Sequence, residues 1–331
     1  MRRRFAVTMA ALMISAIFVG AASAATVLKV AFNQDKTHPQ YIAMEEFGKE
    51  LKAKTNGEYE IQIFPNALLG AQKETLEMVQ SGTVAMSIVA NALLENWNPD
   101  FVVFNLPYVF KSVDEQKAIV NDPAIVGDLY DSINSHGIKV LAAFHGGVRN
   151  VYCKKVVKVP ADLKGLKIRV MQSDTNISMM NMMGGTGIAM SQGDVYTAIQ
   201  TGVLDGAENN ELIYNSLLQY EVAPYYNYTQ HLMQPDMLTI STEVWNSLPD
   251  NVKAIFAEGI PKAVDLEYSS FAGAVKTAFA NVEKNCKDLV ITRPDITPFQ
   301  EAVAPLTESK LTTPASKAIY QRIQDYRAAH K

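Results

Sequence analysis

Predicted β-strands alternate with predicted helices along most of this chain, and that order restricts the fold more than any other feature. Apolar residues recur at every second position in the strand segments and at helical spacing between them. The first set has strands at 27–32, 59–64, 85–90 and 138–144, and helices at 39–54, 71–81 and 114–134. Such alternation is typical of the α/β class, in which helices cover a largely parallel sheet.

A second set of the same kind begins near Arg149. Its predicted strands are 151–155, 167–170 and 206–209, and its predicted helices are 175–183 and 194–201. Two sets predict two sheets, and a chain of 331 residues exceeds what one hydrophobic core usually holds. We therefore expect two α/β lobes with a cleft between them, where a ligand would bind.

Apolar residues keep near-helical spacing from 251 to 285, and only Pro261 interrupts them. Two interpretations fit: one long kinked helix that spans both lobes, or two ordinary helices that meet at residues 259–261. The segment 314–329, with Ile319, Ile323 and Tyr326 on one face, predicts a terminal amphipathic helix.

The first residues have the features of a secretory signal peptide. Three arginines at positions 2–4 precede an uncharged apolar stretch, 5–19, and small residues follow at 22–24. The stretch is shorter than the roughly 20 residues of a membrane span, although an uncleaved anchor helix is the alternative. We predict a signal peptide at 1–24, by the general or the twin-arginine route, and a periplasmic mature protein.

Charge and cysteine content exclude some classes of protein. Without residues 1–24, 27 Lys and Arg stand against 34 Asp and Glu, a formal net charge of −7. An acidic chain of this kind is a poor candidate for binding nucleic acid. Two cysteines, Cys153 and Cys286, lie far apart in the sequence, so one disulfide and two free thiols both remain open.

A search for catalytic and metal-binding motifs favours a protein that is not an enzyme. The five histidines show no paired metal-ligand spacing, so we expect no metal. The segment 145–147, His-Gly-Gly, is like part of an esterase oxyanion loop, but no Gly-x-Ser-x-Gly elbow accompanies it. The sequence also has neither a dinucleotide fingerprint nor a Walker loop, and we expect no cofactor.

Two arginines beside apolar strands are the best candidates for binding a ligand. In the segment 166–170, Ile168 and Val170 share one face of the predicted strand and Arg169 lies on the other. Arg149 follows two glycines at the start of the second set. A buried guanidinium needs a partner, and a ligand carboxylate in the cleft would provide one with two parallel hydrogen bonds. A solvated strand arginine is the alternative.

Two motifs resemble a known family. They are LKGLKIRV at 163–170 and DVYTAIQTGVLDGAEN at 194–209, and weaker similarity covers the rest of the mature chain. Both are similar to the extracytoplasmic solute-binding proteins of tripartite ATP-independent periplasmic (TRAP) transporters, the DctP family. The resemblance implies a two-lobed, periplasmic-binding-protein-like fold with a long helix spanning both lobes. It also implies hinge closure around a small organic acid, and two membrane subunits, one small and one large, as partners of a monomer.

The resemblance assigns roles to residues and to segments. Arg169 is expected to form the two-pronged salt bridge to the ligand carboxylate, and Arg149 and Asn209 to assist it. The expected division is 25–146 plus 235–274 for lobe I and 147–234 plus 275–331 for lobe II.

The segment 169–173, Asn209-Asn210 and the strand around His231 resemble the branch that binds sugar acids such as glucuronate or galacturonate. A hydroxylated acid needs several side-chain donors and acceptors. The further candidates are Gln34, Glu74, Gln172, Asn210 and His231. A binder of C4-dicarboxylates, a secreted enzyme acting on a sugar acid, and a binding subunit that serves a sensor kinase are the alternatives.

Overall fold

The computed structural model describes residues 24–330, so the predicted signal peptide lies almost entirely outside the described residues. The strands are β1 Thr26–Ala31, β2 Tyr59–Phe64, β3 Met86–Ala90, β4 Ile138–His145, β5 Arg149–Cys153, β6 Lys167–Val170, β7 Thr186–Ala189, β8 Gly206–Asn209, β9 Tyr225–Leu232, β10 Pro235–Ser241 and β11 Val290–Thr292. The α-helices are α1 Pro39–Lys54, α2 Gln72–Gln80, α3 Asn91–Leu94, α4 Val113–Val120, α5 Pro123–Asp131, α6 Asp174–Met182, α7 Val195–Gln200, α8 Glu211–Ser216, α9 Thr242–Ser247, α10 Asp250–Asn285, α11 Thr297–Lys310 and α12 Pro314–Ala329.

Helix α1 illustrates how the local sequence specifies an element. The His38 side chain accepts a hydrogen bond from the backbone N–H of Gln40, and Pro39 occupies the first turn, where its missing N–H costs nothing. One face then carries the residues that pack into the core: Ala43, Met44, Phe47 and Leu51. Their spacing places them along one stripe of the helix, so burial of that stripe holds α1 against the sheet.

The strands form two mixed sheets. The five-stranded sheet of lobe I has the order β2-β1-β3-β10-β4, and the six-stranded sheet of lobe II has the order β11-β9-β5-β8-β6-β7. Strands β1, β2 and β3 are parallel, whereas β10 runs antiparallel to both of its neighbours, and β5 does the same in lobe II. The antiparallel strands are those that enter a lobe directly from the other one, a feature that the expectation of largely parallel sheets did not include.

The chain crosses between the sheets at two short connections and along one helix. Strand β4 ends at His145 and β5 begins at Arg149, while β9 ends at Leu232 and β10 begins at Pro235. Helix α10 packs against α1 and β4 in lobe I and against α8 in lobe II. It is a single helix of 36 residues with Pro261 inside it, so the long-helix interpretation is confirmed. At 1.5 Å per residue it is about 54 Å long, enough to reach across both lobes.

The C-terminal helix belongs to lobe I rather than to lobe II, which corrects the expected division of the chain. Ile319 and Ile323 of α12 lie in the same apolar cluster as Phe101 and Leu129 of lobe I. The preceding helix α11 packs its apolar face on the lobe II core instead. Periodicity identifies the apolar face of α12 but does not show which core that face packs against. The return of the chain to lobe I after residue 310 was therefore not predicted.

Cys153 and Cys286 are free thiols in the structure, and Cys153 is buried in lobe II. None of the helices between residues 24 and 330 combines the length and the apolar character that a membrane span requires. The same residues contain no group of three or more His, Cys, Asp or Glu side chains placed to hold a metal ion.

Gly147 at the first crossing should not tolerate a side chain. Its φ of +78° is unfavourable for other residues, and a Cβ there would lie 2.5 Å from Nδ2 of Asn210. We expect Gly147→Ala to displace Asn210 and to lower the free energy of unfolding by about 2 to 3 kcal/mol, measured by urea denaturation. Gly165→Ala is the matched control, because Gly165 has a φ of +79° and nothing within 4 Å of its Cβ position. Equal losses in the two variants would contradict the predicted clash.

Candidate ligand-binding cleft

A cavity lies between the lobes, and both lobes contribute to its wall. Lobe I supplies Asn33, Gln34, His38, Ala71, Gln72, Ala90, Leu93, Gly146 and Asp236, and lobe II supplies Arg149, Arg169, Met171, Gln172, Ser191, Gln192, Asn209, Asn210 and Ile213. Polar side chains dominate this set, and their arrangement determines what the cavity can hold.

Arg169 reaches the cavity because of the alternation in β6. Ile168 and Val170 are buried in the lobe II core, so the Arg169 side chain lies on the opposite face, where it is only 4% exposed. Its Nε donates to the carbonyl oxygen of Met190 at 2.8 Å. Within residues 24–330 its two terminal nitrogens find no acceptor, which leaves a planar pair of donors directed at the cavity.

The ionisation of Arg169 suits an anionic ligand. Burial lowers its pKa to about 10, with the charge of Arg149 adding to the effect and the charge of Glu208 opposing it. The guanidinium is therefore still charged at neutral pH. A buried cation without a counterion is unfavourable, so the site gains free energy when an anion enters.

Arg149 is held differently, because it already has a buried counterion. Its Nε and one terminal nitrogen bind the two carboxylate oxygens of Glu208, the second at 2.8 Å. Its other terminal nitrogen donates to Oδ1 of Asn209 at 3.0 Å. Both Arg149 and Asn209 line the cavity, but the charge of Arg149 is matched within lobe II.

Glu208 and His231 form a layer behind the cavity. Burial raises the pKa of Glu208, but the charge of Arg149 and hydrogen bonds from His231 and Arg149 outweigh it and bring the pKa to about 2. Nε2 of His231 lies 3.3 Å from Glu208, and Nδ1 lies 2.8 Å from Oγ1 of Thr229. His231 is fully buried and does not line the cavity, so the structure places it as a support for Glu208 instead.

Neutral amides supply most of the remaining polar lining. Gln34, Gln172, Asn209 and Asn210, which the sequence analysis singled out, all lie at the cavity. Asn210 also caps α8 by accepting from the N–H of Ile213 and donates to the carbonyl oxygen of Gly146 at 2.8 Å. Six further polar residues at the cavity were not predicted from the sequence, because nothing in their local pattern separates them from polar residues of the surface: Asn33, His38, Gln72, Ser191, Gln192 and Asp236.

Glu74 does not reach the cavity, contrary to expectation. It is exposed in the first turn of α2, whereas Gln72 of the same helix lines the cavity. Oε1 of Gln72 accepts from the N–H of Ala90 at 3.1 Å, which fixes this side of α2 toward the cleft. Two residues later the helix has turned by about 200°, so Glu74 faces away from it.

The lobes are closed over the cavity and touch through polar groups. Nε2 of Gln192 in lobe II donates to Oε1 of Gln34 in lobe I at 2.9 Å. A second interlobe cluster joins Glu95 of lobe I to the start of α6, where Thr175 donates to Glu95 at 2.8 Å and Ser173 at 3.2 Å. Burial raises the pKa of Glu95 to about 7, although the hydrogen bonds from Thr175, Asn105 and Ser173 oppose the shift.

Comparison with known proteins is consistent with this geometry. The family model of bacterial extracellular solute-binding proteins, family 7 (DctP), matches residues 30–312. A TRAP periplasmic solute-binding protein from Anaerococcus prevotii, solved with bound D-glucuronate, is 34% identical with a TM-score of 0.88 over 92% of this chain and 99% of that one.

Two further proteins agree. A TRAP solute-binding protein from Xanthobacter autotrophicus, solved with bound β-D-galacturonate, is 31% identical with a TM-score of 0.85 over 90% of this chain and 99% of that one. The Salmonella typhimurium protein YiiZ is 36% identical over 303 residues, 90% of this chain and 91% of its own length. The expected resemblance is confirmed, and the chain belongs to the DctP family of extracellular solute-binding proteins, the solute-binding components of TRAP transporters.

Proposed function

We propose that this chain captures a sugar acid with a single carboxylate, of the hexuronate type, outside the cytoplasm and delivers it to TRAP membrane subunits. The observation that carries the proposal is Arg169, whose two terminal nitrogens are directed at a closed cavity without an acceptor among the described residues. A ligand carboxylate fits this pair of donors in bidentate geometry.

The neutral amides around Arg169 indicate what the rest of the ligand carries. Gln34, Gln172 and Gln192 present both donors and acceptors, as a hydroxylated ring requires. Gln34 and Gln192 use one polar atom each to bind one another, and a ligand without hydroxyl groups would leave the remaining donors and acceptors of these amides without a partner, which is costly. The solved relatives that bind D-glucuronate and β-D-galacturonate support the same ligand class.

The proposed cycle has three steps. With the lobes open, Arg169 exchanges hydration water for the ligand carboxylate. Arg149 and Asn209, which are hydrogen-bonded to each other, hold the neighbouring polar groups of the site in position. The lobes then close through the two short connections and α10, and the contact between Gln34 and Gln192 shuts the cavity. The closed form docks to a small and a large membrane subunit, and reopening there releases the ligand.

A role in the periplasm after removal of a signal peptide at 1–24 is part of the proposal. It is supported by the arginine-rich start and small residues of that segment and by membership of an extracellular family. The same family consists of transporter components, which favours binding over the alternative of a secreted enzyme.

Thermal shift and calorimetry test the proposal directly. The mature protein is screened against D-glucuronate, D-galacturonate, aldonates, succinate, malate and sialic acid. At 100 times its Kd a ligand stabilises the folded state by about 2.7 kcal/mol, a shift of roughly 4 °C for a chain of this size. A shift with a hexuronate supports the proposal, and a shift only with a C4-dicarboxylate or another acid contradicts it.

Closure should depend on pH through Glu95. In the closed form its pKa is about 7, against the ordinary value of 4.5, which we expect once opening exposes the side chain to water. Closing therefore takes up a proton between these values, and the favourable contribution is complete below about 4.5 and lost as the pH rises through about 7. We expect the affinity for D-galacturonate to fall roughly 10- to 100-fold from pH 5 to pH 8 relative to Glu95→Gln, measured by calorimetry. Glu58→Gln, at an exposed position, should keep the wild-type profile; parallel profiles for wild type and Glu95→Gln would refute the prediction.

A further inference from the structure

The charges that face the cavity are divided between the two lobes. Lobe II contributes the guanidinium groups of Arg149 and Arg169, whereas lobe I contributes Asp236, the sole carboxylate among the described lining residues. Since Glu208 already matches Arg149, one guanidinium remains unpaired for a ligand. Arg169 and Asp236 line the same cavity from different lobes, so a ligand held by Arg169 on lobe II has room to extend toward Asp236 on lobe I.

The carboxylate of Asp236 is held in place by a buried amide. Nε2 of Gln40, a fully buried side chain, donates to Oδ2 of Asp236 at 2.9 Å and to the carbonyl oxygen of His145 at 3.0 Å. The position also depends on Gly146, whose Cβ, if present, would lie 3.2 Å from Oδ1. Gln40 thus fixes one oxygen, and a glycine makes room for the other.

The second oxygen, Oδ1, is free to act on a ligand. No donor within residues 24–330 binds it, although Asp236 lines the cavity and is half-buried in strand β10. Its backbone neighbours in the sheet are Ala90 and Phe144, neither of which offers a side-chain donor. A hydroxyl group of the ligand can donate to this oxygen, whereas a second ligand carboxylate placed there would face a like charge.

We propose that Asp236 selects the ligand class: its free oxygen accepts a hydrogen bond from a hydroxyl group of a sugar acid anchored on Arg169, and its charge rejects acids that carry a second carboxylate at that end. The inference rests on the proposed function and deepens it. Asp236 would distinguish hexuronates from the aldarates of the same configuration. An aldarate has a carboxylate where the hexuronate has its aldehyde or hemiacetal carbon.

Calorimetry with matched pairs of acids tests the proposal. D-Galacturonate is compared with galactarate, and D-glucuronate with D-glucarate, on wild type, Asp236→Asn and Asp236→Ser. We expect the wild type to prefer each hexuronate by roughly 100-fold or more, because a misplaced like charge is costly. In both variants the hexuronate affinity should fall about 10- to 100-fold and the preference should shrink at least tenfold. Asp265→Asn, at an exposed position of α10, should keep both values.

The outcomes are distinguishable from failure of the proposed function. If the wild type binds no sugar acid, the proposed function itself is wrong. If the wild type binds hexuronate and aldarate equally well, or if both variants retain the wild-type preference, Asp236 does not select the ligand. The stoichiometry of the same titrations reports the fraction of each variant that is folded. The preference of the wild type for hexuronate over aldarate tests the proposal even if a variant folds poorly.

Discussion

Arg169→Met is expected to weaken the binding of D-galacturonate by roughly 30- to several-thousand-fold, because removing one partner of a buried charge pair costs about 2 to 5 kcal/mol. Arg169→Lys should retain part of the affinity, with a loss of about 10- to 100-fold. The ammonium group keeps the charge but cannot form the two parallel hydrogen bonds of the guanidinium. Calorimetry at pH 7 measures both losses.

The same substitution should leave the unliganded fold intact. Arg169 is 4% exposed and has no carboxylate bound to it among the described residues, and the cost of burying its charge outweighs the attraction of Glu208, so the charge does not stabilise the unliganded fold. We expect the melting temperature of ligand-free Arg169→Met to equal or exceed that of the wild type, while ligand no longer raises it. Arg322→Lys, at a half-buried position of α12 that does not line the cavity, is the control for both measurements. Unchanged affinity in both Arg169 variants would rule out this residue as the carboxylate anchor.

Glu208→Gln is expected to have the largest effect on stability. Glu208 is 0% exposed and binds both Arg149 and His231, so its neutral replacement leaves the Arg149 guanidinium buried without a counterion. Loss of one partner from a buried ion pair costs about 3 to 5 kcal/mol. Urea denaturation at pH 7 should show that loss, and Glu301→Gln, exposed on α11, should show none.

A double-mutant cycle separates the ion pair from general disruption. Arg149→Met combined with Glu208→Gln removes both charges, and we expect the double variant to recover about 1 to 3 kcal/mol relative to the sum of the single losses. Additive losses would show that the pair does not act as a unit.

The dependence on pH provides a second check on Glu208. Its pKa in the folded protein is about 2, below the usual 4.5, so its contribution to stability is present above the usual value and is lost as the pH falls toward 2. The wild type should lose stability in that range relative to Glu208→Gln. A constant difference between the two proteins from pH 5 to pH 2.5 would contradict the assigned pKa.

Local patterns in the sequence were sufficient for the strand that carries the anchor. Alternation around Arg169 placed Ile168 and Val170 on the core face and the arginine on the other, as the structure has them. The period of a strand is a local property, so it survives folding unchanged. Glu208 belongs to the same motif as Asn209 and alternates with it, but alternation does not show that its partner is Arg149.

Asp236 and Gln72 are two cavity residues that local sequence patterns did not predict. Asp236 lies in a strand that returns from the other lobe, and only the pairing of β10 between β3 and β4 brings it to the cavity. Gln72 replaces Glu74 at the cavity because the start of α2 is fixed by its bond to Ala90. Both cases depend on contacts between residues distant in the sequence or on the exact rotation of a helix, which composition and spacing do not encode.

The sequence by itself determined the α/β class, the two lobes, the family and the arginine that faces the cleft, because each follows from periodicity or from motifs of fixed spacing. The tertiary structure alone decided that Arg149 is matched by Glu208, that α12 packs on lobe I, and that an acid of lobe I faces the arginines of lobe II. Burial and charge pairing are properties of the assembled lobes: they arise only when distant segments share one low-dielectric space.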